Sequence, residues 1–288
     1  MSYDIKCLFD VNDAIGEGPY WDASTGNVLW VDIFRGLLHR GHLATGELTT
    51  TELGEPLVFA LPSKSGGLVV GRYHTVEHIA EDGTTTVLCT VDADDEDLRL
   101  QDAKADTKGR LVFGMISLSR KLRKGNLYSL DPSGEVTVLR TGVSLSNGLD
   151  WSPDGSLLYH IDSDMQNIEV HDYDQETGLI SNSRVFASIA LDDGLPDGMT
   201  VDAEGGVWVS LFWGQKLRHY SADGKLVEQI AMPTSNTTSV AFAGDDLGTL
   251  VITSASEWLV EGAPQSTPGA LFGFTPGVKG KLPHEFGL

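Results

Sequence analysis

Short apolar runs separated by polar turns set the pattern of this chain, and no long helical period interrupts them. Val28-Leu29-Trp30-Val31 follows the turn Ser24-Thr25-Gly26-Asn27, Leu111-Val112-Phe113 follows Thr107-Lys108-Gly109-Arg110, and Leu157-Leu158-Tyr159 follows Pro153-Asp154-Gly155-Ser156. Leu68-Val69-Val70, Val207-Trp208-Val209 and Leu250-Val251-Ile252 sit in the same setting. β-Branched and aromatic residues bounded by Gly, Asp, Asn and Ser predict strands joined by tight hairpins. A further run follows in most cases, such as Asn126-Leu127-Tyr128-Ser129 or Leu217-Arg218-His219-Tyr220. Another turn and a fourth run, such as Glu135-Val136-Thr137-Val138-Leu139, complete the unit.

The unit repeats. Ahead of each first turn a residue is followed four places on by a bulky or apolar one: Glu17 with Trp21, Val58 with Pro62, Gln101 with Ala105, Asn147 with Trp151, Asp197 with Val201 and Thr238 with Phe242. These six anchors lie 41, 43, 46, 50 and 41 residues apart. A period of that length with four antiparallel strands per unit predicts an all-β, six-bladed β-propeller over residues 1–288 as a single domain. Ile5-Lys6-Cys7-Leu8-Phe9 precedes the first anchor, so it is expected to close the ring as the outer strand of the last blade. The acidic run Asp92–Asp97 and the stretch Glu257–Pro268 read as loops inserted between strands.

Composition narrows the function. Acidic residues outnumber basic ones 41 to 20 for a net charge of −21, which excludes a phosphate-neutralising nucleic-acid surface and favours cations. Two cysteines in 288 residues are no disulfide framework, the first residues carry no signal-peptide pattern, and no window is apolar enough for a membrane helix. The expectation is a cytoplasmic protein, a monomer because a closed ring satisfies its own edges, with neither membrane nor nucleic acid as partner.

In a propeller the innermost strands line a central channel. Small or apolar anchors suit that channel, as at Val58 and Thr238; Glu17, Gln101, Asn147 and Asp197 break the pattern. Two carboxylates and two carboxamides converging there need a partner, and no Lys, Arg or His occupies an anchor. A divalent cation is the simplest partner, and all-oxygen ligands suit a hard ion such as Ca2+, Mg2+ or Mn2+. His74 and His78 lie four apart in a strand-like region without a metalloprotease motif, the remaining histidines show no metal spacing, and no nucleophilic serine motif is present. The run at 92–97 lacks the spacing of a calcium loop and reads as solvated.

Gly16-Glu17-Gly18-Pro19-Tyr20-Trp21, Ser146-Asn147-Gly148-Leu149-Asp150-Trp151-Ser152 and Pro196-Asp197-Gly198-Met199 resemble the signature segments of one family, supported by Tyr173-Asp174-Gln175-Glu176-Thr177-Gly178 and Gly277-Val278-Lys279-Gly280. It is the regucalcin, or senescence-marker-protein, family, which includes gluconolactonases and luciferin-regenerating enzyme. The resemblance spans about Ile5 to Lys281. It implies one catalytic divalent metal in the channel, held by Glu17, Asn147 and Asp197, with Ca2+ the first choice and Zn2+, Mn2+, Mg2+ or Fe2+ as alternatives. Where relatives read Arg-x-Asn-Asp-Gly-Lys this chain has Arg99-Leu100-Gln101-Asp102-Ala103-Lys104. Several relatives also carry an acidic residue shortly after the inner strands of that blade, where Gly114–Ser119 has none.

The implied activity is hydrolysis of a sugar lactone. The metal would polarise the carbonyl and activate water, with Asp197 as general base and water activated by the metal alone as the alternative. Arg99, Gln101 and Asp102 are candidate substrate contacts, and Asp102 equally suits holding a ligand in place. A broad-specificity metal-dependent esterase or phosphotriesterase, and a non-catalytic calcium-binding propeller, are the competing readings.

Overall fold

In five of the six blades the first hairpin is pinned by a side chain five residues after the anchor. Asp22, Asp106 and Asp202 accept backbone N–H groups of the turn that follows, with Ser24 N at 3.0 Å, Lys108 N and Arg110 N at 2.9 and 2.8 Å, and Glu204 N and Gly206 N at 2.9 and 2.8 Å. Ser63 and Ser152 do the same with a hydroxyl, to Ser65 N at 3.3 Å and Leu157 N at 3.0 Å. Short polar side chains that mimic a turn hydrogen bond fix where one strand stops and the next begins.

The computed structural model describes residues 3–263 and 265–288. Lys6–Phe9 (β1) comes first. Blade 1 is Gly16–Asp22 (β2), Asn27–Asp32 (β3), Leu37–His42 (β4) and Leu48–Glu52 (β5). Blade 2 is Phe59–Pro62 (β6), Leu68–Gly71 (β7), Thr75–Ile79 (β8) and Thr85–Thr90 (β9). Blade 3 is Leu98–Ala105 (β10), Leu111–Ser117 (β11), Gly125–Leu130 (β12) and Val136–Val143 (β13). Blade 4 is Ser146–Trp151 (β14), Leu157–Asp162 (β15), Asn167–Tyr173 (β16) and Ile180–Ser188 (β17). Blade 5 is Leu195–Val201 (β18), Val207–Phe212 (β19), Lys216–Tyr220 (β20) and Leu226–Ala231 (β21). Blade 6 is Thr237–Ala243 (β22), Thr249–Ser254 (β23) and Leu271–Phe274 (β24), completed by β1. Every sheet is four-stranded and every pairing within it antiparallel. This is the six-bladed propeller that the repeat predicts.

Closure follows the expected route. β1 pairs with β24 through Lys6↔Gly273, Cys7↔Phe272 and Phe9↔Leu271. Phe9 is buried against Trp30 of blade 1, with ring centroids 5.6 Å apart, so the seam also seals the space between the last and first blades. Burying a side chain of that size contributes about 2 kcal/mol. On the inner side the Thr238 hydroxyl donates to the Gly16 carbonyl at 2.6 Å, joining β22 to β2.

The core lies between blades rather than in one centre. Trp30 and Trp208, each 1% exposed, donate their indole N–H groups to Asp13 and Asp202 at 2.9 Å. Trp208 stacks on His219 at 3.9 Å and Trp30 on His39 at 5.0 Å. After β24 the chain crosses the face where the inner strands end. Phe286, 1% exposed, is held there by Lys64 N donating to its carbonyl at 2.9 Å and by its own N–H donating to the Pro62 carbonyl at 3.1 Å.

The stretch from 257 to 268 is a loop between β23 and β24, as expected, apart from Pro264, which lies outside the described residues. The acidic run also lies in a loop, between β9 and β10, but it is not merely solvated. Asp97 accepts the Ser117 hydroxyl and Ser119 N at 2.8 and 2.7 Å, and Lys124 bridges Asp95 and Asp97 at 2.7 and 2.8 Å. Those contacts hold Asp97 well below the usual carboxylate range, the Lys124 hydrogen bond contributing most.

Candidate metal centre

The anchors share one structural device. In five of the six inner strands the pairing register slips at the anchor: between Glu17 and Tyr20, Leu100 and Ala103, Asn147 and Leu149, Pro196 and Met199, and Thr237 and Val240. A bulge bends the strand and re-aims a side chain. Here it occurs where the strand reaches the axis.

Glycine follows Glu17, Asn147 and Asp197: at Gly18 because φ is +57°, and at Gly148 and Gly198 for a steric reason. A Cβ on Gly148 would meet Met199 N at 2.5 Å, and one on Gly198 would meet Ser239 Oγ at 2.0 Å. The inner strands of adjacent blades therefore touch backbone to backbone, and the preceding side chains are set by that contact. Asp32 and Asp162, at the ends of β3 and β15, fix the approach to β2 and β14. Asp32 accepts Ala14 N at 2.8 Å and Ile15 N at 3.4 Å; Asp162 accepts Ser144 N at 3.0 Å and Leu145 N at 3.1 Å.

Glu17, Asn147, Asp197, Arg99 and Gln101 come together in one cavity of about 500 Å³. Glu17, Asn147, Asp197 and Arg99 are all buried. The Asn147 carboxamide donates to Ser163 Oγ at 2.8 Å, and its Oδ1 accepts Gln101 Nε2 at 3.2 Å. Gln101 Oε1 in turn accepts from Arg99, whose Nε donates to the Leu100 carbonyl at 3.1 Å. The longer Gln101 side chain thus spans from Arg99 to Asn147. Asp102 lines a narrow space of about 40 Å³ beneath the cavity, with Oδ1 accepting Ala103 N at 2.7 Å.

The carboxylates are under-satisfied. Glu17 accepts one hydrogen bond, from Gly18 N at 2.9 Å; Asp197 accepts none among the described residues. Burial pushes the Glu17 pKa well up, and the Asp197 and Asp102 charges push it further. Burial and then the Asp102 charge do the same to Asp197. Asp102 is pushed up to about 6 by burial, which Lys104 partly offsets. Burial draws the Arg99 guanidinium down to about 10. Two buried carboxylates and the Asn147 Oδ1 facing one space are an oxygen donor set that fits a hard divalent cation, whose charge would cancel their repulsion.

Deeper along the axis the charge is balanced. Asp150 is buried and receives Lys104 at 3.3 Å and Lys281 at 3.2 Å, with Val201 N donating at 2.8 Å and Trp151 N at 2.7 Å. Burial opposes its ionisation, but the two lysines and these amides hold it well below the ordinary range. This ion cluster carries no signal in the repeat.

Histidine sequence spacing gives no metal motif, yet β15 and β16 bring His160, Glu169 and His171 within 4.8 Å of one another, packed against blade 3. Sequence reasoning missed this cluster because its members meet across a strand pair, through the His160↔Glu169 register. Arg140 of β13 covers the Glu169 carboxylate, with one guanidinium nitrogen donating at 3.0 Å and a second in ion-pair contact. A cation there would sit against the guanidinium. Burial keeps both imidazoles neutral, His171 falling to about 4. His74 and His78 do not converge: each meets a different backbone carbonyl, of Val91 at 3.2 Å and Gly66 at 2.8 Å.

The cavity has an apolar mouth that sequence reasoning also missed. Phe34, Leu118, Trp213 and Trp258 border it from four different blades, with Arg120 beside them. No helix is long and apolar enough to cross a membrane among the described residues.

Residues 15–256 match the family described as the SMP-30/Gluconolactonase/LRE-like region. Regucalcin of Xenopus laevis is 34% identical over 99% of both chains. A Bacillus subtilis protein, YvrE, named provisionally as a sugar lactone lactonase, is 33% identical over 96% of both. The solved structure of a calcium-binding protein, regucalcin, from Agrobacterium tumefaciens superposes with a TM-score of 0.93 at 26% identity, over 100% of this chain and 99% of that one. Fold and sequence likeness agree, and the chain belongs to the SMP-30/gluconolactonase/LRE-like family.

Proposed function

We propose that this protein hydrolyses a sugar lactone, using one divalent cation held by Glu17, Asn147 and Asp197. The observation that carries the reading is the pair of buried, under-satisfied carboxylates beside a carboxamide oxygen in the cavity. The Bacillus relative supports the substrate class, and the Agrobacterium neighbour supports calcium as the first ion to try.

When bound, the cation supplies Lewis-acid polarisation of the lactone carbonyl. Asp197 takes a proton from water as the water oxygen bonds to the carbonyl carbon. The ring acyl–oxygen bond then breaks, the ring oxygen takes up that proton, and the product is a hydroxy acid. Arg99, fixed by Gln101 and the Leu100 carbonyl, is positioned to donate to substrate oxygen. Asp102 lines the narrow space below the cavity and accepts the N–H of its neighbour Ala103.

The test is proton release from a panel of lactones by chelator-stripped protein, with each cation restored in turn. Turnover that requires a cation and falls by about 10²-fold or more in Asp197→Asn supports the reading. Calcium binding without turnover of any lactone overturns it and leaves a calcium-binding propeller.

A further inference from the structure

Resting on the lactonase reading, we propose that the sugar lactone this site takes carries an aromatic or bulky alkyl group on its far side, seated against Phe34, Trp213 and Trp258, rather than hydroxyls alone. These three side chains are 40%, 46% and 58% exposed. They come from the β3–β4 turn, the β19–β20 turn and the β23–β24 loop, yet they converge on one side of the mouth. Phe34 meets Trp258 edge-on at 5.5 Å and 83°. The Trp213 indole N–H donates to the Trp258 carbonyl at 3.0 Å, so the two loops are tied together. Both tryptophans have positive φ, 64° and 52°, a backbone conformation costly for a bulky residue.

The walls below the rim decide what fits. Ile116 and Leu118 form the blade 3 side, and Leu195 and Phe212 the blade 5 side. Apart from the indole N–H groups of Trp213, which is committed to the Trp258 carbonyl, and Trp258, hydrogen-bonding side chains of the lining are Glu17, Arg99, Gln101, Asn147 and Asp197, with Arg120 at the rim. Two of these are already committed to each other, Gln101 to Asn147. A lactone whose carbonyl meets that floor would press the substituents of its far side against Ile116, Leu118 and the aromatic rim. Hydroxyls there would lose water without gaining partners. An aromatic or alkyl substituent would gain instead, by burial and by edge or face contact with the three rings. A cavity of about 500 Å³ also exceeds what a single lactone ring fills. Sugar rings can stack on tryptophan too, but their hydroxyl edges then need polar neighbours, and this rim offers only Arg120 and the Trp258 indole N–H.

The experiment compares kcat/KM for γ-phenyl-γ-butyrolactone and galactono-γ-lactone in the cation-loaded protein, with Trp258→Ala and Phe34→Ala alongside. The expected result is a preference of tenfold or more for the phenyl lactone, carried by KM. Each substitution should lower that preference by about 3- to 10-fold. Both residues are exposed enough that truncation leaves the fold intact. Preference for the galactonolactone, or a preference unmoved by both substitutions, overturns the proposal. Failure of both lactones with every cation would sink the lactonase reading instead. The phenyl-substituted γ-lactam, titrated by calorimetry, then decides this proposal separately: binding with a negative heat-capacity change that weakens in Trp258→Ala supports it, and no binding overturns it.

Discussion

Replacing Asp102 by Asn should make the protein in chelator more stable at neutral pH. The Asn side chain keeps the volume and, through Oδ1, the bond from Ala103 N. It removes a carboxylate whose folded-state pKa is about 6 against an ordinary 3.8. A carboxylate raised in the folded state binds its proton more tightly there than in the unfolded chain. Its ionisation therefore costs nothing below pH 3.8 and the full amount once pH has risen through 6. A gap of about two pH units is worth ~3 kcal/mol at pH 7.5 and only ~1 kcal/mol at pH 4.5. Relief of Glu17 and Asp197, which the Asp102 charge also pushes up, adds in the same direction. In a protein of this size the gain at pH 7.5 corresponds to a rise in melting temperature of roughly 6 °C. Urea unfolding and thermal scans in chelator, at both pH values, would measure it. A variant no more stable than wild type at pH 7.5, or equally stabilised at both pH values, would refute the assignment of that cost to a buried charge.

Two further substitutions probe how the site is held. Gly198→Ala would drive a methyl group into Ser239, whose Oγ and Cα stand 2.0 and 2.6 Å from the added carbon; a loss of ~2–3 kcal/mol in urea unfolding and a weaker cation affinity in calorimetry are expected. Asp32→Ala would leave the N–H groups of Ala14 and Ile15 without an acceptor, at a cost of about 3 kcal/mol, and should speed amide exchange at both residues.

Much of the architecture is written locally. Each strand of a propeller needs its own turn and apolar run, so the repeat is visible in sequences such as Pro153-Asp154-Gly155-Ser156-Leu157, and the N-terminal strand is the one run left without a blade. Glu17, Asn147 and Asp197 are legible for a different reason: a charged or amide side chain at a register that should be small or apolar signals a purpose. What stays hidden depends on packing between blades. Arg140 reaches Glu169 from the neighbouring sheet, and His160 meets His171 across a strand pair, neither at a telling spacing. Phe34, Trp213 and Trp258 sit singly in turn and loop segments, where a lone aromatic residue has no period to betray it. The bulges that aim the anchors are likewise invisible, since they record a slip between two strands rather than a property of either.

The C-terminal segment that lies across the far face turns the channel into a cup. Lys281 is joined to Asp150, and His284 bridges to Ala105, across the end opposite the aromatic mouth. Between the two ends the axis narrows to about 40 Å³, room for a water molecule or two but not for a lactone. Traffic must therefore use one door. Under the proposed function, a molecule that has reacted would block its successor until it leaves, and whatever occupies the rim would govern arrival and departure alike. Inhibition by accumulated product should be competitive with the incoming substrate, and bulk added at the mouth should slow both directions of exchange.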